Sequence, residues 1–279
     1  MRLSLVLLDE YADHCRVNGQ SEDTIKVKIR NLRFFVNFCI GKEVTPSLMS
    51  SWREYIMERY TKPYSRNNMV CKTNVFLDYL GLSELKIKSF EVERQKLYSK
   101  SKEGLTIEEL KKMLEYTEET ENIRMNLLLR LLAITGIRSG ELHYITVEAV
   151  DVGVSEFTHH KKPRKVLLPN SLCKLLKDYV NANKILSGPI FLTQTGNPIH
   201  QRNVGTELKK IASMVDIPKD KINPTAFRIL FANTYYKKYG DLSGLTDLLG
   251  VKNLNMAVLY IKEEDTLISR LNCNGRTIQ

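Results

Sequence analysis

Cysteine is scarce in this chain of 279 residues, and the few cysteines that it has lie far apart. They are odd in number and include no C-x-x-C pair: Cys15, Cys39, Cys71, Cys173 and Cys273. A structural zinc site needs closely spaced ligands and a disulfide framework needs paired cysteines, so the sequence predicts neither. The pattern is typical of a protein that folds in a reducing compartment.

Long apolar runs are absent as well. No stretch approaches the length of about 20 apolar residues that a helix needs to cross a bilayer. The opening residues, MRLSLVLLDEYADH, hold only a short apolar run that acidic residues soon follow, which is unlike a secretory signal. We therefore expect a soluble, cytoplasmic protein without a membrane partner.

Negative charge is in short supply relative to positive charge. The chain has 42 lysines and arginines against 32 aspartates and glutamates, a net charge of +10. Its apolar fraction of 43% and charged fraction of 27% are ordinary for a globular protein, so the imbalance is the informative feature. A basic excess of this size favours a polyanionic partner, either a nucleic acid or an acidic membrane surface.

The first 86 residues show the apolar spacing of helices throughout. We predict four helices: residues 3–15, a second helix that begins after Ser21, residues 47–60 and residues 65–80. Basic side chains on the second and fourth helices are either ordinary solvated charges or contacts to nucleic-acid phosphates. The candidates for such contacts are Lys26, Arg30, Arg66 and Lys72.

Residues 87–104 are polar, rich in lysine and without apolar periodicity, and we interpret them as a linker between two domains. The second domain begins at Leu105, where Thr106 and Glu109 have the spacing of a helix capping box. The sequence thus predicts an N-terminal helical domain at residues 1–86 and a C-terminal domain at residues 105–279.

The segment T-G-I-R-S-G-E-L, residues 135–142, follows an apolar helix and contains an arginine of special interest. Gly136 stands where a glycine commonly ends a helix. Arg138 is then fixed at a joint between two elements, and it needs an acceptor because burying an unpaired guanidinium is costly. Two acceptors are open: a phosphate, which suits the planar fork of donors, or a nearby carboxylate in a salt bridge.

The clearest β-strand pattern lies between residues 149 and 169. Val150, Val152 and Val154 alternate with other residues, and the segment K-K-P-R supplies a turn before a second apolar run. We predict a small antiparallel hairpin or three-stranded sheet with Lys161 and Lys162 at its tip.

Two later segments complete a recognisable order of motifs. The segment N-P-T-A-F-R-I-L-F-A-N-T places Arg228 inside an apolar helix, and L-L-G-V-K-N-L-N-M-A-V-L-Y ends on Tyr260. Together with Arg138 and the hairpin lysines, these segments resemble the tyrosine recombinase (phage integrase, Xer-like) family. The pattern of that family is T-G-x-R-x-x-E-L, a hairpin lysine, H-x-L-R-H-x-F-A, and L-L-G-H followed by a tyrosine. The resemblance covers essentially the whole chain.

The resemblance implies a mainly α-helical fold with a small antiparallel β-sheet in the C-terminal domain. Residues 1–86 would form a four-helix, SAM-like core-binding domain, and residues 105–279 an α+β catalytic domain. The implied activity is that of a site-specific recombinase or integrase, which cuts and rejoins duplex DNA through a 3′-phosphotyrosine intermediate.

The resemblance also implies roles for individual residues. Arg138 and Arg228 neutralise charge on the scissile phosphate, so that neither a metal ion nor another cofactor is required. Tyr260 is the nucleophile, since it stands where the family has its tyrosine. A hairpin lysine protonates the departing 5′-oxygen, and we choose Lys161 for this role with Lys162 as the alternative.

The chain departs from the family pattern at three positions. Thr225 and Ile229 replace histidines on either side of Arg228, and Val251 replaces the histidine or tryptophan that follows L-L-G. Thr225 can still donate one hydrogen bond to a phosphate, and Lys252 is a conceivable substitute for the residue at 251. These departures keep a second hypothesis open, that of a catalytically degraded relative that acts as a DNA-binding regulator. A third hypothesis is a relaxing enzyme of the type IB topoisomerase class, which shares this chemistry but is disfavoured by the small helical N-terminal domain.

The expected partner is double-stranded DNA, which Lys26, Arg30, Arg66, Lys72 and Arg164 would contact. Recombinases of this family act as tetramers on two paired sites and exchange a C-terminal segment between neighbours. Leu267, Ile268 and Leu271 at helical spacing suit such an exchanged segment, or else one that folds back on its own domain.

Overall fold

A computed structural model describes residues 1–91, 104–159 and 162–261 of the chain, which is mainly helical with a small antiparallel sheet. The chain divides into two compact units, Met1–Gln95 and Lys96–Gln279. The fold class expected from the sequence is thereby confirmed. Among the residues described, no helix is long and apolar enough to cross a membrane.

The N-terminal unit contains four α-helices: α1 (Val6–Val17), α2 (Glu22–Cys39), α3 (Pro46–Arg59) and α4 (Pro63–Tyr79). They pack around fully buried aromatic side chains, among them Phe35, Trp52 and Phe76. The indole of Trp52 donates a hydrogen bond of 3.1 Å to the hydroxyl of Thr73, which satisfies the one polar atom of that ring in the core. The four predicted helices are present, with ends shifted by a few residues.

Residues 87–90 belong to the N-terminal unit, contrary to the prediction that a linker begins at Ile87. Ile87 and Phe90 pack against its core, and two asparagines of α4 bind their backbone. Asn74 donates to the carbonyl of Ile87 and accepts from its amide, and Asn67 does the same for Phe90. This attachment could not be predicted from apolar periodicity, because its hydrogen bonds use the backbone groups of Ile87 and Phe90.

The C-terminal unit begins with the predicted capping box, in which Thr106 and Glu109 bind each other's backbone amides. Its helices are α5 (Ile107–Glu119), α6 (Ile123–Thr135), α7 (Val147–Val152), α8 (Asn170–Ala182), α9 (Gln201–Met214), α10 (Pro224–Tyr239), α11 (Leu242–Leu249) and α12 (Leu254–Val258). A short 3₁₀-helix, Ser139–Tyr144, connects α6 to α7.

Helix α6 is the central element of this unit, and most of its apolar residues are fully buried. It ends, as predicted, at Gly136, which adopts a left-handed conformation with φ of +58°. A Cβ atom at this position would lie 2.6 Å from the ring of Phe231 on α10. Gly136 therefore permits both the reversal of the chain and the close approach of α10.

The β region is a two-stranded antiparallel hairpin formed by β1 (Val154–His159) and β2 (Lys162–Leu167). Two details of the prediction were wrong. Val150 and Val152 lie in α7, where Thr146 caps the helix and favours it over a strand. The segment K-K-P-R supplies no turn at Pro163 and Arg164, which pair with β1 inside β2.

Candidate active site

Arg138 follows α6 directly and forms the salt bridge that the sequence left open as an alternative. Its Nη1 donates to Oε1 of Glu141 at 2.7 Å, and its Nη2 donates to the carbonyl of Gly250 at 3.3 Å. The carboxylate is 1% exposed, whereas the arginine side chain remains 30% exposed. The guanidinium is thus fixed from the protein side and still reaches solvent, where an anion can approach it.

Arg228 lies in the second turn of α10 and is almost entirely buried. Its Nη1 donates to the carbonyl of Gly136 at 2.5 Å, and its Nη2 donates to the carbonyl of Leu249. Its Nε is buried without a hydrogen-bond partner among the residues that the structure describes. Burial, together with repulsion from Arg138, lowers the pKa of Arg228 to about 10, so the side chain stays charged at neutral pH.

Tyr260 follows α12, and its ring lies over the guanidinium of Arg228. The distance from the guanidinium carbon to the ring centroid is 5.0 Å, within the range of a cation–π interaction. The contact with Tyr260 acts on the pKa of Arg228 in the opposite direction to burial and raises it. The fold therefore brings together Arg138, Arg228 and Tyr260, which are far apart in the sequence.

The C-terminus of α11 is the point on which these side chains converge. A helix end leaves backbone carbonyls without partners inside the helix, and it carries partial negative charge. Arg228 binds the carbonyl of Leu249, Arg138 binds that of Gly250, and Arg164 binds those of Asp247 and Leu248. The segment L-L-G thus holds three guanidiniums through its backbone, which its sequence alone does not reveal.

Arg164 is not placed as the DNA contact that the sequence predicted. Its side chain is 4% exposed and lies between β2 and α11. The reason is the strand register: Arg164 and Val166 point inwards, while Lys165 between them is exposed. The prediction of a turn at K-K-P-R is incompatible with this alternation.

The structure describes some, but not all, of the other residues proposed to support catalysis. Lys161 lies outside the described residues, and Lys162 pairs through its backbone with His159 at the turn end of the hairpin. Thr225 is exposed in the first turn of α10, three residues before Arg228 and thus on the same helix face. Val251 packs partly buried against the apolar cluster under Tyr260.

The basic residues of the N-terminal unit differ in their exposure and in their hydrogen bonds to the protein. Lys26 and Arg30 are exposed on α2. Lys72 on α4 is partly buried, and burial together with repulsion from Arg30 and Lys28 lowers its pKa. Arg66 instead donates to the backbone carbonyls of Tyr60 and Met57.

Two contributions to this site were missed at the level of sequence. Glu141 was recognised as part of a motif and received no role, yet it is the buried carboxylate that binds Arg138. Gly250 is required because a Cβ there would lie 2.5 Å from Cδ of Arg164. Leu267, Ile268 and Leu271, the residues suited to an exchanged segment, lie outside the described residues.

The chain is similar in sequence and fold to known proteins. The sequence model of the phage integrase family matches residues 103–266 of the chain. A tyrosine recombinase of Thermosipho africanus (strain TCF52B) is 23% identical over 282 residues, which cover 93% of this chain and 94% of that protein.

Solved structures share the fold over nearly the whole chain. The XerH site-specific recombinase bound to difH substrate in a pre-cleavage complex gives a TM-score of 0.70 at 18% identity, covering 98% of this chain and 85% of that one. A lambda integrase tetramer bound to a Holliday junction gives a TM-score of 0.70 at 16% identity, covering 98% and 78%.

Proposed function

This chain belongs to the phage integrase family, and we propose that it is a site-specific recombinase that cuts and rejoins duplex DNA through a 3′-phosphotyrosine intermediate. The observation that carries the proposal is the meeting of Arg138, Arg228 and Tyr260 at the C-terminus of α11. Two guanidiniums held by carbonyls and a phenol against one of them form a set suited to phosphoryl transfer.

In the proposed reaction, the hydroxyl oxygen of Tyr260 attacks a phosphorus atom of the DNA backbone. A bond forms between this oxygen and phosphorus as the phenol proton passes to water, and the bond from phosphorus to the 5′-oxygen breaks. Arg138 and Arg228 donate to the non-bridging oxygens, on which negative charge grows in the transition state. The new phosphotyrosine bond retains the energy of the broken one, so that a 5′-hydroxyl can reverse the step without ATP.

The position of Tyr260 links substrate binding to the placement of the nucleophile. Arg228 is 3% exposed, and the ring of Tyr260 lies over its guanidinium. A phosphate that binds Arg228 has to take up the space which the ring now occupies. The ring must then move aside while its hydroxyl remains close to phosphorus.

The departing 5′-oxygen needs a proton donor, and we assign this role to Lys161, with Lys162 as the alternative. Thr225 supports the reaction by donating to the same phosphate, because it lies one turn before Arg228 on α10. Losing the histidines of the family pattern lowers the rate by about 10²-fold to 10⁴-fold per lost acid–base group, so we expect slow turnover.

DNA binding in this proposal rests on the basic surface of the N-terminal unit, with Lys26, Arg30 and Lys72 in contact with phosphates and Arg66 in a smaller role. The lambda integrase neighbour is a tetramer on a Holliday junction, and we propose that this chain also acts as a tetramer on paired sites. The exchanged C-terminal segment remains part of the proposal.

The test is a covalent trapping experiment. Nicked duplexes tiled across the DNA on both sides of the gene are incubated with the protein. A nick a few nucleotides to the 3′ side of the scissile bond lets the short fragment with the new 5′-hydroxyl dissociate, which prevents rejoining. Denaturing gels then detect protein joined to labelled DNA. We expect an adduct from the wild-type chain and none from Tyr260→Phe.

The matched control is Tyr239→Phe, which changes an exposed tyrosine on α10 outside the site and should leave the adduct intact. Salt-sensitive DNA binding without any adduct from the wild-type chain would contradict recombinase activity and favour the DNA-binding regulator. Relaxation of supercoiled plasmid that carries none of the flanking DNA would instead indicate a topoisomerase.

A further inference from the structure

Arg164 is buried in the C-terminal unit without a role in the reaction described so far. Its Nη1 donates to the carbonyls of Lys165, Asp247 and Leu248 at 2.9, 3.2 and 2.6 Å. Its Nε and Nη2 are buried without a hydrogen-bond partner within the described residues. Burying a guanidinium so incompletely paired costs stability, which calls for an explanation beyond simple packing.

The neighbour that explains this position is Glu141. One of its oxygens, Oε1, binds Arg138 at 2.7 Å, while the other, Oε2, faces Nε of Arg164 at 3.9 Å. Two guanidiniums therefore share one buried carboxylate. Burial has the largest effect on the pKa of Arg164 and lowers it. The nearby carboxylate of Glu141 raises this pKa, and the positive charge of Arg138 lowers it further.

We propose that Arg164 is a positioning residue that acts through Glu141 and the C-terminus of α11 to keep Arg138 in place and to give the site a net positive charge toward the DNA phosphate. This inference rests on the proposed recombinase function. It concerns a residue that the sequence assigned to DNA contact and that the structure places behind the site.

Arg164 changes the net charge of the site. Without Arg164, the carboxylate of Glu141 cancels the charge of Arg138, which is the more exposed of the two arginines facing the substrate. With Arg164, three guanidiniums and one carboxylate leave a net charge of +2 at the site. This surplus suits a phosphodiester, which gains a second negative charge as it becomes five-coordinate.

Arg164 also fixes the end of α11, the helix that precedes Tyr260 in the chain. Arg164 binds the last turn of α11, and Gly250 directly after it lies so close that a Cβ atom would clash with Nε of Arg164 at 2.7 Å. The carbonyl of Gly250 also accepts from Arg138. Arg164 therefore joins β2 to the end of α11, and the carbonyl of Gly250 extends this connection to Arg138.

The experiment compares Arg164→Lys with Arg164→Gln in single-turnover cleavage of the nicked duplex that wild type cleaves. All hydrogen bonds of Arg164 come from Nη1, so a lysine ammonium can replace them and retains the charge, whereas glutamine retains a donor without charge. We expect Arg164→Gln to cleave about 100-fold more slowly with unchanged DNA affinity, and Arg164→Lys to stay within about tenfold of wild type.

A second arm separates charge from structure. In a duplex whose scissile phosphate is a methylphosphonate, one negative oxygen is replaced by a neutral methyl group, so less positive charge is needed. The deficit of Arg164→Gln should shrink to a few-fold on this substrate. The control is Arg124→Gln, which removes an arginine that also binds a carbonyl and a carboxylate, those of Leu192 and Glu207, outside the site.

Cleavage by Arg164→Gln within about threefold of wild type would overturn the inference, as would equal losses in the lysine and glutamine variants or the same deficit on both substrates. Thermal melting identifies any variant that fails to fold, and Arg164→Lys then carries the comparison with Arg124→Gln. Failure of the wild-type chain to form an adduct would instead remove the proposed function itself, and the inference with it.

Discussion

The guanidinium carbon of Arg228 lies 5.0 Å from the ring centroid of Tyr260, so the best-buried arginine of the site is covered by the proposed nucleophile. The same guanidinium donates to the carbonyls of Gly136 and Leu249, at the ends of α6 and α11. Two helix ends thus fix the arginine, and the arginine in turn fixes where the phenol lies. The catalytic proposal depends on this arrangement.

Arg138→Lys should slow cleavage strongly without unfolding the protein. Lysine keeps the charge near Glu141 but loses the planar fork that donates to the carboxylate, to Gly250 and to the phosphate together. We expect a loss of about 10²-fold to 10³-fold in the single-turnover rate and little change in DNA affinity. The control is Arg124→Lys, and an unchanged rate for Arg138→Lys would remove this residue from the site.

Gly136→Ala should destabilise the C-terminal unit more than Gly240→Ala does. Both glycines end helices with positive φ, at +58° and +66°, which costs any other residue about 1–2 kcal/mol. Only at Gly136 would the new Cβ clash, 2.6 Å from Phe231, which adds about 1–3 kcal/mol. Urea unfolding measures both variants, and equal losses would show that the contact with α10 is relaxed at no cost.

Asn74→Asp should loosen the attachment of residues 87–90 to the N-terminal unit. Asn74 donates to the carbonyl of Ile87 at 2.9 Å, and a carboxylate in its place would face that carbonyl without a proton. We expect a loss of about 1–3 kcal/mol in the free energy of unfolding. The same change at the exposed Asn37 on α2 serves as the control and should cost less than about 0.5 kcal/mol.

Lys26→Gln and Arg30→Gln should weaken DNA binding in a salt-dependent manner. If each side chain contacts one phosphate, removing it lowers the slope of log affinity against log salt concentration by about one unit. Arg16→Gln on α1 is the control, because Arg16 is already paired with Asp13 and Glu22. If all three variants gave the same slope of log affinity against log salt concentration, α2 would not be part of the DNA-binding surface.

Most of the architecture could be predicted from the sequence because it follows from local rules. The capping box at Thr106 and the left-handed Gly136 are set by a few neighbouring residues, and both are present. The predicted helix around Arg228 is present as Pro224–Tyr239, since Asn223 caps its start and Gly240 its end. The hairpin was found, although its first strand begins after α7 rather than within it.

The less predictable features depend on contacts between distant segments. The sequence indicated that Arg138 needs an acceptor, and the structure supplies the carboxylate of Glu141 together with the carbonyl of Gly250. The burial of Arg164 follows from strand alternation only when the start of β2 is known. Asn67 binds the backbone carbonyl and amide of Phe90. Every residue has these groups, so the sequence does not indicate this contact.

The most direct test of the central claim is to identify the amino acid that carries the DNA in the trapped adduct. After digestion with a protease and a nuclease, tandem mass spectrometry assigns the nucleotide-bearing residue among the 13 tyrosines of the chain. We predict that a nucleoside 3′-phosphate is esterified to the phenol oxygen of Tyr260. A nucleotide on any other residue, or an adduct that persists in Tyr260→Phe, would contradict the account.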